Sequence, residues 1–105
     1  MLTKKFLKDG RRCKVDFVLP DALAASAKAV HLVGDFNNWD ETATPMKKLK
    51  GPRFKVTVDL DLNRDYAFRY LVDGTEWQND PEADRLVANP FGGENSIVST
   101  CPPKN

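Results

Sequence analysis

The chain has 105 residues, of which 41% are hydrophobic, and its 16 Lys and Arg residues offset 15 Asp and Glu residues to leave a net charge of +1. This length suits one globular domain and is far below the roughly 250 residues of a (β/α)8 catalytic barrel. The two signs of charge are interspersed and the basic runs are short, which argues against nucleic acid as a partner.

The N-terminal segment MLTKKFLKDGRR lacks the apolar stretch of a secretory signal, and no other stretch approaches the length of a membrane span. We therefore expect a cytoplasmic protein that does not associate with membranes. Residues 1–12 are predicted to be an extension that can add an edge strand, residues 13–100 a β-sandwich domain, and residues 101–105 a flexible tail.

Alternating polar and apolar residues predict a series of short strands. The clearest pattern runs from Phe54 to Leu62, where every even position is apolar, and Tyr66 to Val72 repeats it with Arg69 on the polar face. Asp21 to Ala27 has an aspartate cap and helix-forming residues, so it predicts one or two helical turns. In chain order, the predicted strands are 13–19, 30–33, 46–49, 54–62, 66–72 and 96–99.

Several short strands with turn signals every eight to twelve residues, and no long helix, are typical of an all-β fold. We therefore predict a single domain with an immunoglobulin-like antiparallel β-sandwich. Cys13 and Cys101 lie near opposite ends without metal-ligand spacing, which favours reduced thiols and predicts neither a metal site nor a cofactor.

Two tryptophans stand outside these alternating patterns. Trp39 ends the stretch GDFNNW after the strand at 30–33, and Trp77 follows the turn signal Asp73-Gly74 in polar company. Either ring could instead fold back as a lid on the core. Arg69 is a candidate site cation or a surface residue paired with a carboxylate, and Asn95 is a candidate site amide or a turn residue.

A saccharide-binding site typically combines flat aromatic rings with a planar cation and an amide, and these four residues supply that set. The C–H faces of a pyranose rest on indole rings, while its hydroxyl groups need donors and acceptors such as Arg and Asn. No catalytic pair of carboxylates stands out, His31 is the single histidine, and no G-x-S-x-G motif occurs. The sequence therefore indicates sugar binding and assigns no catalytic residue.

Three segments carry a family resemblance between about Lys28 and Ser99: VHLVGDFNNW, YAFRYLVDG and NPFGGENSIV. With these motifs the chain resembles the family 48 carbohydrate-binding modules, found at the N-terminus of isoamylases and glycogen-branching enzymes and in the β subunit of AMP-activated protein kinase. The resemblance implies non-catalytic binding of α-1,4-linked glucans such as glycogen, starch or maltooligosaccharides.

By this resemblance, Trp39, Arg69, Trp77 and Asn95 match the sugar-contacting residues, with Phe91 as a further apolar contact. The kinase-type motif has lysine where this chain has Arg69, which alters hydrogen-bond geometry. The alternative function is a protein-interaction domain that docks on a glucan-processing enzyme or a kinase without binding sugar. We expect a monomer that is not itself an enzyme.

Overall fold

A computed structural model describes residues 2–7, 10–19, 27–49, 53–90 and 93–100. These residues form nine strands in two antiparallel sheets, together with one 3-10 helical turn at Asp35–Asn37. The strands are β1 (Leu2–Phe6), β2 (Arg12–Leu19), β3 (Val30–Gly34), β4 (Lys47–Lys48), β5 (Phe54–Asp61), β6 (Asp65–Val72), β7 (Glu76–Gln78), β8 (Arg85–Ala88) and β9 (Glu94–Ser99).

The first sheet has the order β1-β2-β5-β4. Strand β2 alternates strictly, so that Cys13, Val15, Phe17 and Leu19 are fully buried while the residues between them face outward. Phe17 lies opposite Val56 of β5, in the long pairing that joins the two central strands. The alternation seen in the sequence therefore becomes the inner face of this sheet.

The second sheet has the order β3-β6-β9-β8, and β7 pairs with β6 beside β9. Strand β6 is its centre, because it pairs with β3 along one edge and with β9 and then β7 along the other. Its alternation buries Phe68, Tyr70 and Val72 in the core and leaves Arg69 on the outer face. The outer face of this sheet is where the candidate site lies.

Aromatic rings join the two sheets across the core. Phe17 of β2 meets Phe68 of β6 edge to face at 5.0 Å between ring centroids. Within β6, the Phe68 ring also packs against Tyr70, at 5.7 Å. Phe36 of the 3-10 turn adds a ring 5.7 Å from Phe17. Each such pair contributes about 0.5–1.5 kcal/mol beyond the burial of its area, and the Phe17–Phe68 contact stabilises the packing of one sheet on the other.

The observed architecture confirms the predicted immunoglobulin-like β-sandwich. The structure adds β7 and β8, which the sequence did not predict because both are short and β8 is exposed along its whole length. Of the predicted helix at 21–27, only Ala27 is among the described residues. Phe91 and Cys101 also lie outside them.

Cys13 is a free, buried thiol, and its burial raises the pKa of the thiol. No helix among the described residues is long and apolar enough to cross a membrane.

Candidate functional site

A groove of about 410 Å³ runs along the outer face of the second sheet. It gathers all four of the described residues that the sequence singled out, namely Trp39, Arg69, Trp77 and Asn95. The remaining lining residues are Asp35, Ala67, Asn89 and Pro90. Phe91, the fifth residue predicted from the sequence, lies outside the described part of the chain.

The strand register explains why these residues meet. Trp77 lies opposite Leu71 in the β6–β7 pair, so its side chain shares the outer face with Leu71 and, two residues earlier, Arg69. On β9, Ile97 lies opposite Ala67, which brings Asn95, two residues before Ile97, beside Arg69. One face of β6 thus aligns side chains from β7 and β9.

Trp39 reaches the same groove from the loop after β3. Gly34 permits this course, because a Cβ atom there would lie 2.5 Å from the Ala67 carbonyl oxygen. The loop then passes through positive φ angles at Asn38 (58°) and Trp39 (55°), and Trp39 N–H donates to Gly34 O at 2.9 Å. This tight reversal turns the indole back over the sheet.

Asn37 holds the reversal in place with its side-chain amide. Its Nδ2 donates to Leu32 O and to Thr44 Oγ1, both at 2.9 Å, and its Oδ1 accepts from Gly34 N–H at 3.1 Å. One side chain therefore ties both ends of the loop to β3. The first asparagine of GDFNNW is structural, although the sequence did not single it out.

Neither tryptophan is a lid on the core. Trp77 is 36% exposed and Trp39 is half-buried, and both line the groove on the outer face of the sheet. The indole Nε1 of Trp39 donates to Asp35 Oδ1 at 2.8 Å. Phe36, in contrast, returns to the core beside Phe17 and Tyr66, as expected for the apolar residue of this loop.

Arg69 lies over the Trp77 ring and pairs with no acid among the described residues. Its Cζ lies 5.5 Å from the centroid of the indole ring, within the range of a cation–π contact. Its Nε is buried and has no acceptor among the described residues. A buried donor without a partner costs free energy, so this N–H is suited to donate a hydrogen bond to a ligand in the groove.

A buried polar network fixes the segment that follows Trp77. Tyr70 Oη donates to Asp80 Oδ2 at 2.7 Å, Asp80 N–H donates to Ser96 Oγ at 2.9 Å, and Ser96 Oγ donates to Asn79 Oδ1 at 2.8 Å. Burial and the neighbouring Asp80 charge raise the pKa of Tyr70 far above its ordinary value. The chain around Trp77 is thereby fastened to β6 and β9.

Asn95 is oriented by a second asparagine that the sequence did not single out. Asn89 Nδ2 donates to Asn95 Oδ1 at 3.3 Å, and Asn89 Oδ1 accepts from Gly93 N–H at 3.1 Å. Asn89 and Asp35 both belong to the motifs quoted above, yet sequence patterns treat them as turn residues. Their neighbours in space, not their neighbours in sequence, show their place in the groove.

The described lining of the groove combines flat aromatic rings with polar side chains. The groove offers two indole rings, a guanidinium group and two amides, and Asp35 is the one carboxylate among the described residues that line it. Among the described residues, no group of three or more His, Cys, Asp or Glu side chains could hold a metal ion. Stacking surfaces with a few polar groups around them are the usual composition of a small-ligand site.

A family model, carbohydrate-binding module 48 (isoamylase N-terminal domain), matches residues 18–92. The match covers most of the chain and includes the β-strands and loops that carry Trp39, Arg69 and Trp77. The chain therefore belongs to the carbohydrate-binding module 48 family, as the sequence motifs predicted. Membership makes carbohydrate binding the general class of its function.

Proposed function

We propose that this protein binds α-1,4-linked glucans, such as glycogen, starch or maltooligosaccharides, without catalysing a reaction on them. The observation that carries the proposal is the single groove that brings Trp39, Arg69, Trp77 and Asn95 together on the outer face of one sheet. In this proposal, glucosyl rings stack on the two indoles, while Arg69 and Asn95 bind their hydroxyl groups.

The size and chemistry of the groove support an oligosaccharide ligand. About 410 Å³ is within the range of sites for small organic ligands, which is roughly 300–1,000 Å³. Stacking contributes a modest binding free energy for each ring, and the open groove excludes little water. We therefore expect dissociation constants in the micromolar to millimolar range, which correspond to binding free energies of about −4 to −8 kcal/mol. Phe91, which lies outside the described residues, remains a proposed third apolar contact.

Titration with maltoheptaose in a calorimeter, together with retention on glycogen or amylose, tests the proposal. We expect Trp39→Ala or Trp77→Ala to weaken binding by about tenfold or more, because each removes a large aromatic contact. Leu86→Ala is the matched control, since Leu86 is 48% exposed on β8 and does not line the groove. Undiminished retention of the double tryptophan variant would contradict the proposal.

Two further measurements define the ligand class and the absence of catalysis. Cellohexaose, whose linkages are β-1,4, should bind much more weakly than maltoheptaose. The protein should release no reducing ends from amylopectin, because the described residues that line the groove include a single carboxylate, Asp35, and not the pair that glycoside hydrolysis needs. Steady release of reducing ends that is lost in an Asp35→Ala variant would show instead that the groove is catalytic.

We further propose that the protein is cytoplasmic and monomeric.

Strand β8 supports the second candidate, a protein-interaction domain. It lies at the end of the strand order and is exposed at all four residues, with Leu86 and Val87 among the exposed apolar side chains. An open strand edge can pair with a partner chain. A complex with a glucan-processing enzyme that Leu86→Ala weakens, in a protein that binds no maltoheptaose, would favour this function.

A further inference from the structure

The carboxylate of Asp35 connects Trp39 to strand β6. Its Oδ1 accepts the indole N–H of Trp39 at 2.8 Å, and its Oδ2 accepts the backbone N–H of Ala67, also at 2.8 Å. Both distances are typical of hydrogen bonds to an ionised acceptor. Each carboxylate oxygen therefore has its own donor. One donor is the indole side chain of Trp39, and the other is the backbone of β6.

The bond to Ala67 has a specific structural origin. The β3–β6 pairing ends where Gly34 lies opposite Phe68, one residue from Ala67. The Ala67 N–H is left beyond the end of β3, and an unpaired backbone donor needs an acceptor. The Asp35 carboxylate takes the place of the missing strand carbonyl, and this bond anchors it to the rigid centre of the sheet.

From this geometry we infer that Asp35 is a positioning residue that fixes the indole plane of Trp39, so that Trp39 presents its ring face and not its N–H to a ligand. That the ligand is a sugar rests on the function proposed above. A ring that is already held in its bound orientation loses less side-chain freedom on binding. The bond also leaves the polar contacts with the ligand to other residues, such as Arg69, whose Nε has no acceptor in the described part of the chain.

The positioning role can be measured in the protein without glucan, from the indole N–H signals in a proton–nitrogen correlation spectrum. In Asp35→Ala, the Trp39 signal should move upfield and exchange faster with water, while the Trp77 signal keeps its position. Asp35→Asn should act in the same direction. Its amide has one acceptor oxygen, which the immobile Ala67 N–H retains, whereas the indole can turn toward solvent.

Asp40→Asn is the matched control, because Asp40 is in the same loop and accepts hydrogen bonds from Thr42 N–H and Oγ1, not from Trp39. It should leave the Trp39 indole signal in place. An unchanged Trp39 signal in both Asp35 variants would overturn the inference, whatever the protein binds. The readout on Asp35→Asn stands if Asp35→Ala proves too unstable to purify.

A second measurement, of maltoheptaose affinity, tests whether the fixed orientation of the Trp39 ring contributes to ligand binding. Asp35→Ala should weaken maltoheptaose binding by about fivefold, the effect of losing one charge-assisted hydrogen bond on an exposed group. In a Trp39→Phe background, which has no indole N–H, the same substitution should cause little further loss. Equal losses in the two backgrounds would show that Asp35 does not act through Trp39. If the unaltered protein binds no maltoheptaose, the proposed function fails, while the indole signals still decide the role of Asp35.

Discussion

The guanidinium group of Arg69 lies over the indole ring of Trp77, with 5.5 Å between Cζ and the ring centroid. The two residues come from the neighbouring strands β6 and β7, and the contact packs their planar groups against each other in the groove. This cation–π contact restricts the orientation of the Trp77 ring and keeps the Arg69 guanidinium group at the groove. Arg69 and Trp77 should therefore act as one unit in ligand binding.

Arg69→Lys should weaken maltoheptaose binding by about two- to fivefold, as measured by calorimetry. An ammonium group keeps the charge but lacks both the plane that stacks on Trp77 and the Nε donor. Arg85→Lys is the control, because Arg85 pairs with Asp65 and is not part of the groove lining. Similar losses in the two variants would show that the stacked geometry of Arg69 is irrelevant to binding.

Gly34→Ala should destabilise the fold by about 2 kcal/mol or more in urea unfolding, because the new Cβ would overlap backbone that cannot move away. That atom would lie 2.5 Å from Ala67 O and 2.9 Å from Phe68 Cβ. Gly74→Ala is the comparison, since Gly74 also disfavours a side chain, through its φ of 75°, but has open space around it. It should cost only about 1 kcal/mol. Equal costs would contradict the importance of the close approach at Gly34.

Asn37→Asp should destabilise the protein by about 1–3 kcal/mol, because it replaces the amide donor to Leu32 O and Thr44 Oγ1 by an acceptor. Thermal or urea unfolding measures this cost. Asn38→Asp makes the same chemical change at the next residue, which is exposed and has a left-handed backbone that aspartate tolerates. Little change is expected there. If both variants lose the same stability, the negative charge and not the lost amide is the cause.

Stability should fall at alkaline pH because of Tyr70. The pKa of Tyr70 is raised in the folded protein, first by burial and then by the charge of Asp80. A raised pKa means that the stability is complete below the unfolded value of about 10 and is lost as the pH rises above it, by up to about 1.4 kcal/mol for each pH unit. Urea unfolding between pH 8 and pH 11 measures this loss.

Tyr70→Phe should reduce the alkaline loss, at the cost of lower stability at pH 8, where the Asp80 carboxylate loses its phenol donor. Tyr66→Phe is the comparison. The pKa of Tyr66 is also raised, mainly by burial, but this residue is partly exposed and donates to the Asp61 carbonyl at 3.3 Å. An alkaline loss of the same size in Tyr70→Phe and in the unaltered protein would exclude Tyr70 as its source.

Much of the fold could be predicted from local patterns. The alternation of residues 54–62 and 66–72 predicted two strands, and the structure has β5 and β6 there. Phe68, Tyr70 and Val72 were assigned to one face and Arg69 to the other, as observed. Strands β7 and β8 escaped prediction because three or four residues are too few to show a recognisable alternation.

The candidate site was predicted only in part. Trp39 and Trp77 stand out in the sequence because each is a large apolar residue flanked by polar ones, outside the alternating pattern of the strands. Asp35 and Asn89 do not stand out, because aspartate and asparagine near glycine or proline are ordinary turn residues. Only their partners, the Trp39 indole for Asp35 and the Asn95 side chain for Asn89, show that they shape the groove.

The sequence by itself determined the class of fold, the family motifs and the inward or outward direction of most strand residues, because side-chain direction in a strand follows from a two-residue period that is local. The tertiary structure decided which residues meet. Trp77 joins Arg69 because Leu71 and Trp77 are in register, and Trp39 joins them because Asp35 and Asn37 fold its loop back onto the sheet. Such meetings depend on pairing between segments distant in sequence, and no local pattern encodes that register.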